Sequence, residues 1–274
     1  INGKEELTGG EISGPHLPTN FENLQLTANI VGETAQLNGG WTSGTQGQGS
    51  ISGDVAWGKT VAVNVLVKGN HLPVTVEPYA KLDVAPDLNI TLNANNTLLI
   101  AGTVNVPKGE ITVRELPPST VKVSDDTVIV GQQVAEGEVP MVVDMDINVV
   151  VGQERLTFSG FGLNADLAGQ VHIGNNLDTR GELRLNNGRY RAYGQRLTIR
   201  RARLLFAGPI AQPYLDIEAI RQTDDVIAGS RLSGSAEQPT TQSFSEPAMS
   251  QEQALSYLIL GRPLSGTGED NNML

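Results

Sequence analysis

The chain has 274 residues, enough for a substantial core, and is 39% hydrophobic but only 4% aromatic, so its apolar surface is mainly aliphatic. Its formal net charge of −11 argues against a nucleic-acid partner, because neutralising phosphates requires clustered Lys and Arg with little opposing charge. Cysteine is absent, which excludes disulfides and thiolate metal sites, and the longest apolar runs are far too short to span a bilayer.

Apolar and polar residues alternate along much of residues 1–220, a pattern that predicts strands with one buried face. Short intervals between these segments, without helices, predict an elongated antiparallel meander in an all-β fold. The predicted turns are Asn38-Gly39-Gly40, Lys68-Gly69-Asn70, Asn95-Asn96 and Asn187-Gly188. The residues predicted to share the apolar face are, in chain order, Val61, Val63, Val65, Val67, Leu82, Val84, Leu88, Ile90, Leu92, Met141, Val143, Met145, Ile147, Val149, Phe161, Leu163, Leu167, Val171, Ile173, Leu183, Leu185, Leu197, Ile199, Leu204 and Phe206.

Residues 102–131 and 181–208 form an internal repeat within this meander. Gly102 and Gly109 stand at the same spacing as Gly181 and Gly188. The apolar positions of the second half also correspond, since Val121, Val123, Val128 and Val130 match Leu197, Ile199, Leu204 and Phe206. The alternation changes phase at Asp125-Asp126 and at Arg201-Ala202, which predicts a hairpin turn at both pairs. Such repetition indicates an elongated sheet.

The regular alternation of apolar and polar residues weakens after residue 220. Residues 221–249 hold weaker strand candidates around Val226-Ile227 and Ser243-Phe244. Residues 250–261 are predicted to form one short helix, with Ser250 and Gln253 as a capping box and Gly261 at its end. Residues 262–274 are predicted to be a disordered tail.

The sequence contains no group of residues that is typical of a catalytic site. The three histidines, His16, His71 and His172, are scattered and lack a second ligand at metal-binding spacing. Asp144 and Asp146 share an outward strand face, where paired carboxylates are typical of solubilising charge. We therefore expect no catalytic residue, no metal site, no cofactor and no enzymatic activity.

Arginine is concentrated in residues 180–203 of this acidic chain. One interpretation is a solvated strand face that discourages edge pairing. The other is a docking patch for an acidic partner or for anionic lipid headgroups. The candidate residues of this patch are Arg184, Arg189, Arg191, Arg196, Arg200 and Arg203.

The aliphatic face must be removed from water, and the driving force is about 25 cal/mol per Å² of apolar surface. The sheet can fold on itself, so that opposite walls interdigitate as in a sandwich. Alternatively, it can curl into a trough that shelters an acyl chain, which gains about 0.8 kcal/mol per buried CH₂. Periodicity does not choose between these two arrangements.

The stretch "GRYRAYGQRLTIRRARLLFAGPIAQPYLDIEAIR" and the later "MSQEQALSYLILGRPL" closely resemble the C-terminal region of the TamB family, which is related to AsmA-like proteins. One departure is Ala202, where the family pattern leads us to expect Gly in a hairpin. The resemblance implies a U-shaped β-taco with an aliphatic interior, spanning the periplasm between the inner and outer membranes. It also implies an outer-membrane partner, the barrel subunit TamA with its POTRA domains.

Two functions follow from the resemblance and the pattern together. The first is a non-enzymatic conduit that carries phospholipid acyl chains between the membranes in its groove. The second is a scaffold or chaperone for outer-membrane β-barrel and autotransporter assembly, acting by β-augmentation. A sealed sandwich that binds carbohydrate or serves as a spacer is a third hypothesis. Since the chain begins with Ile and carries no signal peptide, we expect its anchor to the inner membrane to lie outside it.

Overall fold

A computed structural model describes residues 2–15, 17–113 and 140–264 of the chain. Within these residues the predicted all-β fold with one short C-terminal helix is confirmed. The strands are β1 (Asn2–Ile12), β2 (Phe21–Val31), β3 (Thr34–Ser43), β4 (Gly47–Ala56), β5 (Ala62–Asn70), β6 (Leu72–Val76), β7 (Ala80–Leu92), β8 (Thr97–Val113), β9 (Val142–Gly160), β10 (Leu163–Ile173), β11 (Asp178–Ala192), β12 (Gln195–Pro209), β13 (Tyr214–Thr223), β14 (Val226–Ser235) and β15 (Thr240–Glu246). The helix α1 comprises Gln251–Leu260.

All fifteen strands belong to one sheet whose order follows the chain. Only β6 leaves this path, since it pairs with β7 alongside β5. The first and last strands do not pair with each other, so the sheet is open, and it is curled like a taco. The predicted antiparallel arrangement holds except at β8 and β9, which are parallel. Parallel neighbours need a long connection, and residues 114–139, which provide it, lie outside the described residues.

The phase of the apolar alternation changes inside several strands. The register shifts between Val106 and Lys108 of β8, and again between Ile199 and Arg201 of β12. The hairpin predicted at Arg201-Ala202 is therefore wrong, because β12 continues through a bulge there and Ala202 is buried. The turn between β11 and β12 lies at Tyr193-Gly194 instead, where both residues have positive φ.

The other predicted turns have mixed outcomes. Asn95-Asn96 does lie in the turn between β7 and β8, and Lys68-Gly69-Asn70 ends β5. Asn38-Gly39-Gly40 and Asn187-Gly188 lie inside β3 and β11, so these two predictions are wrong. Glycine at position 39 allows the backbone of β2 to lie close by, because a Cβ there would lie 2.5 Å from the carbonyl oxygen of Gln25.

The internal repeat is described only in part. Residues 181–208 form the hairpin of β11 and β12, and the first residues of the other unit belong to β8. Gly102 and Gly181 correspond in conformation, with φ of 139° and 137°. The remaining matched positions, Val121, Val123, Val128 and Val130 with the turn at Asp125-Asp126, lie outside the described residues.

The predicted helix forms, but only half of the predicted capping box is present, because the Gln253 side chain accepts a hydrogen bond from the Leu264 backbone nitrogen at 3.1 Å instead of bonding to Ser250. Ser250 is the N-cap, and its side chain accepts a hydrogen bond from the Gln253 backbone nitrogen at 3.2 Å. Gly261 ends the helix in the left-handed conformation, with φ of 69°. Val226-Ile227 and Ser243-Phe244 lie in β14 and β15, and residues 265–274 of the proposed tail lie outside the described residues.

Candidate functional site

One face of the sheet carries a continuous apolar row from β1 to β12. Residues paired across neighbouring strands project from the same face. The row consists of Leu7, Leu26, Gly39, Ile51, Val67, Leu88, Gly102, Ile147, Ile173, Thr179 and Gly208. Its one polar member, Thr179, is buried and donates its hydroxyl proton to the Leu177 carbonyl at 2.9 Å. We call the face that bears this row the inner face.

We call the opposite face the outer face. It carries a second row of paired residues, next to the apolar row along each strand, and most of these residues are polar. Its row consists of Gln25, Gly40, Ser50, Lys68, Asp87, Thr103, Asn148, His172 and Arg180. The His172 imidazole Nε2 lies 2.6 Å from an Asp146 carboxylate oxygen, and Asp144 accepts a hydrogen bond from Asn175 at 3.0 Å. These polar groups satisfy one another. No cluster of metal-ligating side chains occurs among residues 2–15, 17–113 and 140–264.

The inner face is covered in the C-terminal half of the sheet. Leu156, Leu163 and Leu215 are each 1% exposed and belong to one core cluster that extends from β8 to β14. Side chains on adjacent strands of a sheet contact the sides of a given side chain but leave its tip uncovered. Such complete burial therefore requires the curled sheet to cover its own inner face in this region.

The inner face is less covered in the N-terminal half. Leu26, Ile51, Val67 and Leu88 are only partly buried, although they belong to the same apolar row. The buried hydrophobic residues of β1 to β7 are Ala35, Trp41, Val65 and Leu72. Between β1 and β7 the described residues thus leave aliphatic surface partly open along the inner face.

The structure places most of the predicted apolar residues on the inner face, at different depths. Those that are buried are Val65, Ile147, Leu163, Leu167, Val171, Leu183, Leu185 and Leu197. Those that are partly buried are Val63, Val67, Leu82, Val84, Leu88, Ile90, Leu92, Met145, Val149, Phe161, Ile173, Ile199, Leu204 and Phe206. The exposed ones are Val61 and Met141, which precede β5 and β9, and Val143.

Sequence reasoning missed part of the core. The missed residues of the main core cluster are Val106, Leu156, Phe158, Ala202, Leu215, Ile217 and Leu232. The signal for Leu215 and Ile217 was present, because they alternate with Asp216 and Glu218 along β13. Leu156 and Phe158 follow the change of phase in β9, which hides their continuity with the preceding row.

Glycines at inner positions lie close to neighbouring backbone. Gly102, Gly169 and Gly181 have φ of 139°, 144° and 137°, a backbone conformation that L-residues other than glycine rarely adopt. A Cβ on Gly102 would lie 2.2 Å from the Asp87 carbonyl oxygen. Glycine kinks of this kind introduce curvature into a sheet, which accounts for their position along the concave side.

Helix α1 packs on the inner face at the C-terminal end of the sheet. Leu258 is fully buried, and the buried residues around it are Leu197, Ala219 and Ala228. The Arg221 guanidinium donates hydrogen bonds to the carbonyl oxygens of Leu258 and Ile259 at 3.1 and 2.9 Å. A cation at the carboxyl end of a helix also complements its dipole. The helix is therefore held by both packing and charge.

The structure divides the predicted arginine patch. Arg184 pairs with Glu182 at 3.2 Å, and Arg200 and Arg203 pair with Glu218 and Asp216 of β13. Arg189, Arg191 and Arg196 lie near the turn between β11 and β12. Within the part of the chain that the structure describes, these three have no carboxylate partner.

The paired arginines surround two carboxylates buried on the outer face. Glu218 is 2% exposed and accepts hydrogen bonds from Arg200, Arg201 and Arg231. Burial by itself raises the pKa of Glu218, but the hydrogen bonds and charges of Arg200 and Arg231 outweigh it, so the pKa lies below its ordinary value. Asp216 behaves in the same way, because Arg203 and Arg201 outweigh its burial and lower its pKa.

An open, curled sheet with an aliphatic inner face and a polar outer face defines this protein as a β-taco-like member of the all-β class. Residues 39–274 match the TamB C-terminal domain, and the chain belongs to the TamB family. It is 34% identical over 223 residues to the translocation and assembly module subunit TamB of Haemophilus influenzae, an alignment that covers 74% of this chain. The chain spans only 17% of the length of that relative. No helix among the described residues is long and apolar enough to cross a membrane.

Proposed function

We propose that the chain forms part of a non-enzymatic conduit in the periplasm, in which the inner face shelters phospholipid acyl chains on their way between the inner and outer membranes. The observation that carries this proposal is the apolar row from Leu7 to Gly208, which no charged residue interrupts. Its N-terminal part is only partly covered by protein, which leaves aliphatic surface for a ligand.

The dimensions of the open part suit a lipid tail. Neighbouring strands lie about 4.8 Å apart, so the row from β1 through β5 to β7 extends roughly 24 Å. An acyl chain reaches across half of a hydrocarbon core that is about 30 Å thick. Binding here depends on apolar area, about 0.8 kcal/mol per buried CH₂, and on no placed hydrogen bond. A tail held in this way can slide along the row.

The covered C-terminal half of the sheet limits how far a lipid tail can move along the apolar row. Between β9 and β14 the inner face is filled by the protein's own core, and α1 covers it near β12 to β15. Tails are therefore expected to occupy the stretch from β1 to the first residues of β9, where Val143 is 44% exposed. A tail would have to leave the row near β9 or displace part of that packing to advance further.

Mass spectrometry of lipids that co-purify with the chain tests the conduit. We expect bound glycerophospholipid, and we expect it to protect inner-face residues of β2 to β7 from a soluble carbene probe. A chain that purifies without lipid and takes up none from vesicles would contradict the proposal.

Assembly of outer-membrane barrels is a second candidate function, favoured by the free edges of the sheet. The outer edge of β15, Thr240–Glu246, has no strand partner among the described residues. Such an edge can accept a client strand, or a strand of a POTRA domain of TamA, by β-augmentation. Photo-crosslinkers at Thr241 and Ser243 should then capture a protein partner, whereas a conduit alone predicts no protein adduct at this edge.

A further inference from the structure

The hairpin formed by the ends of β11 and β12 carries three arginines on one face. Arg189 and Arg191 alternate along β11 with Tyr190, and Arg196 of β12 is directly opposite Arg191. Tyr190 and its partner Leu197 pack against the core on the inner face, so the three arginines lie on the outer face. All three are exposed to solvent.

These three arginines repel one another. Arg191 and Arg196 are directly opposite, and like charges in this position destabilise a sheet. The other opposed pair of this hairpin, Arg184 and Arg203, has Glu182 at 3.2 and 4.0 Å respectively. In the described part of the chain no carboxylate pairs with the three outer arginines at the hairpin end. A carboxylate from elsewhere would remove their repulsion.

The turn that joins the two strands holds an exposed tyrosine in an unfavourable conformation. Tyr193 has φ of 53° and Gly194 has φ of 74°, so both residues of this two-residue turn are left-handed. Asn, Asp and Gly favour such positions, whereas bulky residues rarely adopt them. Tyr193 is 50% exposed, so burial of its ring does not offset this strain. Strained and exposed side chains of this kind occur at binding surfaces.

The outer face beside the hairpin carries a polar row without carboxylates. Arg189 pairs with Thr198 of β12 and with Asn164 of β10. Asn164 pairs with Ser159 of β9, which pairs with Thr112 of β8. Neighbouring strands lie about 4.8 Å apart, so this row extends roughly 19 Å from β8 to β12. An acidic segment that lies along the row meets hydroxyl and amide groups and no like charge.

We call Arg189, Arg191, Tyr193 and Arg196 the hairpin surface. We infer that the hairpin surface is a docking site for an acidic, extended segment of a partner protein. Side chains two residues apart on an extended segment share a face and lie about 7 Å apart, which is also the spacing of Arg189 and Arg191 along β11. Tyrosine and arginine are enriched among the residues that dominate the binding energy of protein interfaces.

The charge of the whole chain favours a protein segment over an anionic membrane. The formal net charge is −11, and the outer face also carries carboxylates such as those of Asp87 and Asp146. A flat anionic membrane would approach a wide area of this surface and be repelled by it. A narrow acidic segment contacts the hairpin surface alone. The inference does not involve the inner face, so it does not depend on the proposed conduit.

The test compares two labelled peptides by fluorescence anisotropy at low ionic strength. One peptide alternates Glu with Thr, and the other alternates Gln with Thr. The unaltered chain is expected to bind the Glu–Thr peptide at least tenfold more tightly, with an affinity that falls as salt is added. The variant Arg189→Gln/Arg191→Gln/Arg196→Gln should lose at least tenfold in affinity for the Glu–Thr peptide. It should remain folded, because it removes like charges from exposed positions.

Two controls separate the hairpin surface from charge and exposure in general. The variant Lys59→Gln/Lys68→Gln/Arg180→Gln removes the same charge from other exposed positions and should keep its affinity within about twofold. Tyr193→Ala is expected to weaken binding at least threefold. Tyr214→Ala, which removes a side chain that is also 50% exposed, should not weaken it.

Each outcome supports the docking site or contradicts it. Equal affinity for the two peptides, or equal losses in the two charge variants, would overturn the inference. A photo-crosslinker at Tyr193 should form an adduct with the Glu–Thr peptide. An adduct only within the chain itself would instead mean that the chain's own residues occupy the surface. Binding to dioleoylphosphatidylglycerol vesicles that the arginine variant loses would reassign the surface to a membrane and overturn the protein partner.

Discussion

Val142 and Val143 are consecutive residues of β9 whose side chains leave opposite faces of the sheet, beside Thr97 and Leu98 of β8 respectively. They are 52% and 44% exposed, so the fold depends little on either. We predict that Val143→Asp lowers the lipid bound per protein several-fold, because a carboxylate in the path of a hydrocarbon tail must lose its hydration. Val142→Asp, which adds the same charge to the outer face, should leave bound lipid unchanged.

Quantitative lipid mass spectrometry on the two variants checks this prediction, with the urea midpoint of each as the control for folding. Equal lipid content in the two variants, with folding intact, would show that the inner face near Val143 does not carry lipid.

Leu163 should instead report on stability. It is 1% exposed in the covered half of the sheet, where truncation leaves a cavity. Leu163→Ala is expected to lower the free energy of unfolding by about 2–5 kcal/mol. Leu99→Ala, at a 37% exposed outer position of β8, should cost less than about 1 kcal/mol. Urea denaturation of both variants measures the difference, and similar losses would mean that the C-terminal half is not a closed core.

The elements themselves were predictable from local chemistry. The period-2 alternation of Val63, Val65 and Val67 is specific to a strand with one apolar face, and β5 has that face. The helix was predictable because Ser250 and Gly261 provide capping chemistry that acts within a few residues. Such signals are local, so they survive without knowledge of the rest of the fold.

Features that depend on distant residues were not predictable in this way. A change of phase at Arg201-Ala202 fits a hairpin as well as a bulge, and only pairing with Glu218 and Ile217 of β13 decides for the bulge. The arginines looked like one patch, but the carboxylates that neutralise Arg200 and Arg203 come from another strand. The coverage of the inner face depends on the curl of the whole sheet, which alternation does not encode.

Gly169 provides a test of how the curl is produced. Its φ of 144° is unfavourable for an L-residue, and a Cβ would lie 2.5 Å from the Glu182 carbonyl oxygen. We predict that Gly169→Ala lowers the free energy of unfolding by about 1–3 kcal/mol. Gly208→Ala is the control, because a Cβ at Gly208 meets nothing within 4 Å. Urea denaturation distinguishes them, and equal stabilities would show that the kink at Gly169 tolerates a side chain.

The two carboxylates of β13 should make stability depend on acid pH. Because Arg200 and Arg231 lower the pKa of Glu218 beneath its ordinary value of 4.5, the unfolded chain takes up this proton first as the pH falls. The stabilisation is therefore complete above about pH 4.5 and is lost progressively below it, as the pH falls through the folded-state pKa. Asp216 adds a loss of the same sign.

The variant Asp216→Asn/Glu218→Gln is expected to be less stable than the unaltered chain at pH 7, since the surrounding arginines lose their partners. It should also show a shallower decline in the free energy of unfolding below about pH 4.5, because two of the groups that link protons to folding are gone. Urea denaturation at a series of pH values measures both effects. The control Asp178→Asn removes a carboxylate from a surface pair with Arg180 and should leave the decline unchanged. A double variant that declines as steeply as the unaltered chain would mean that acid sensitivity arises elsewhere in the sheet.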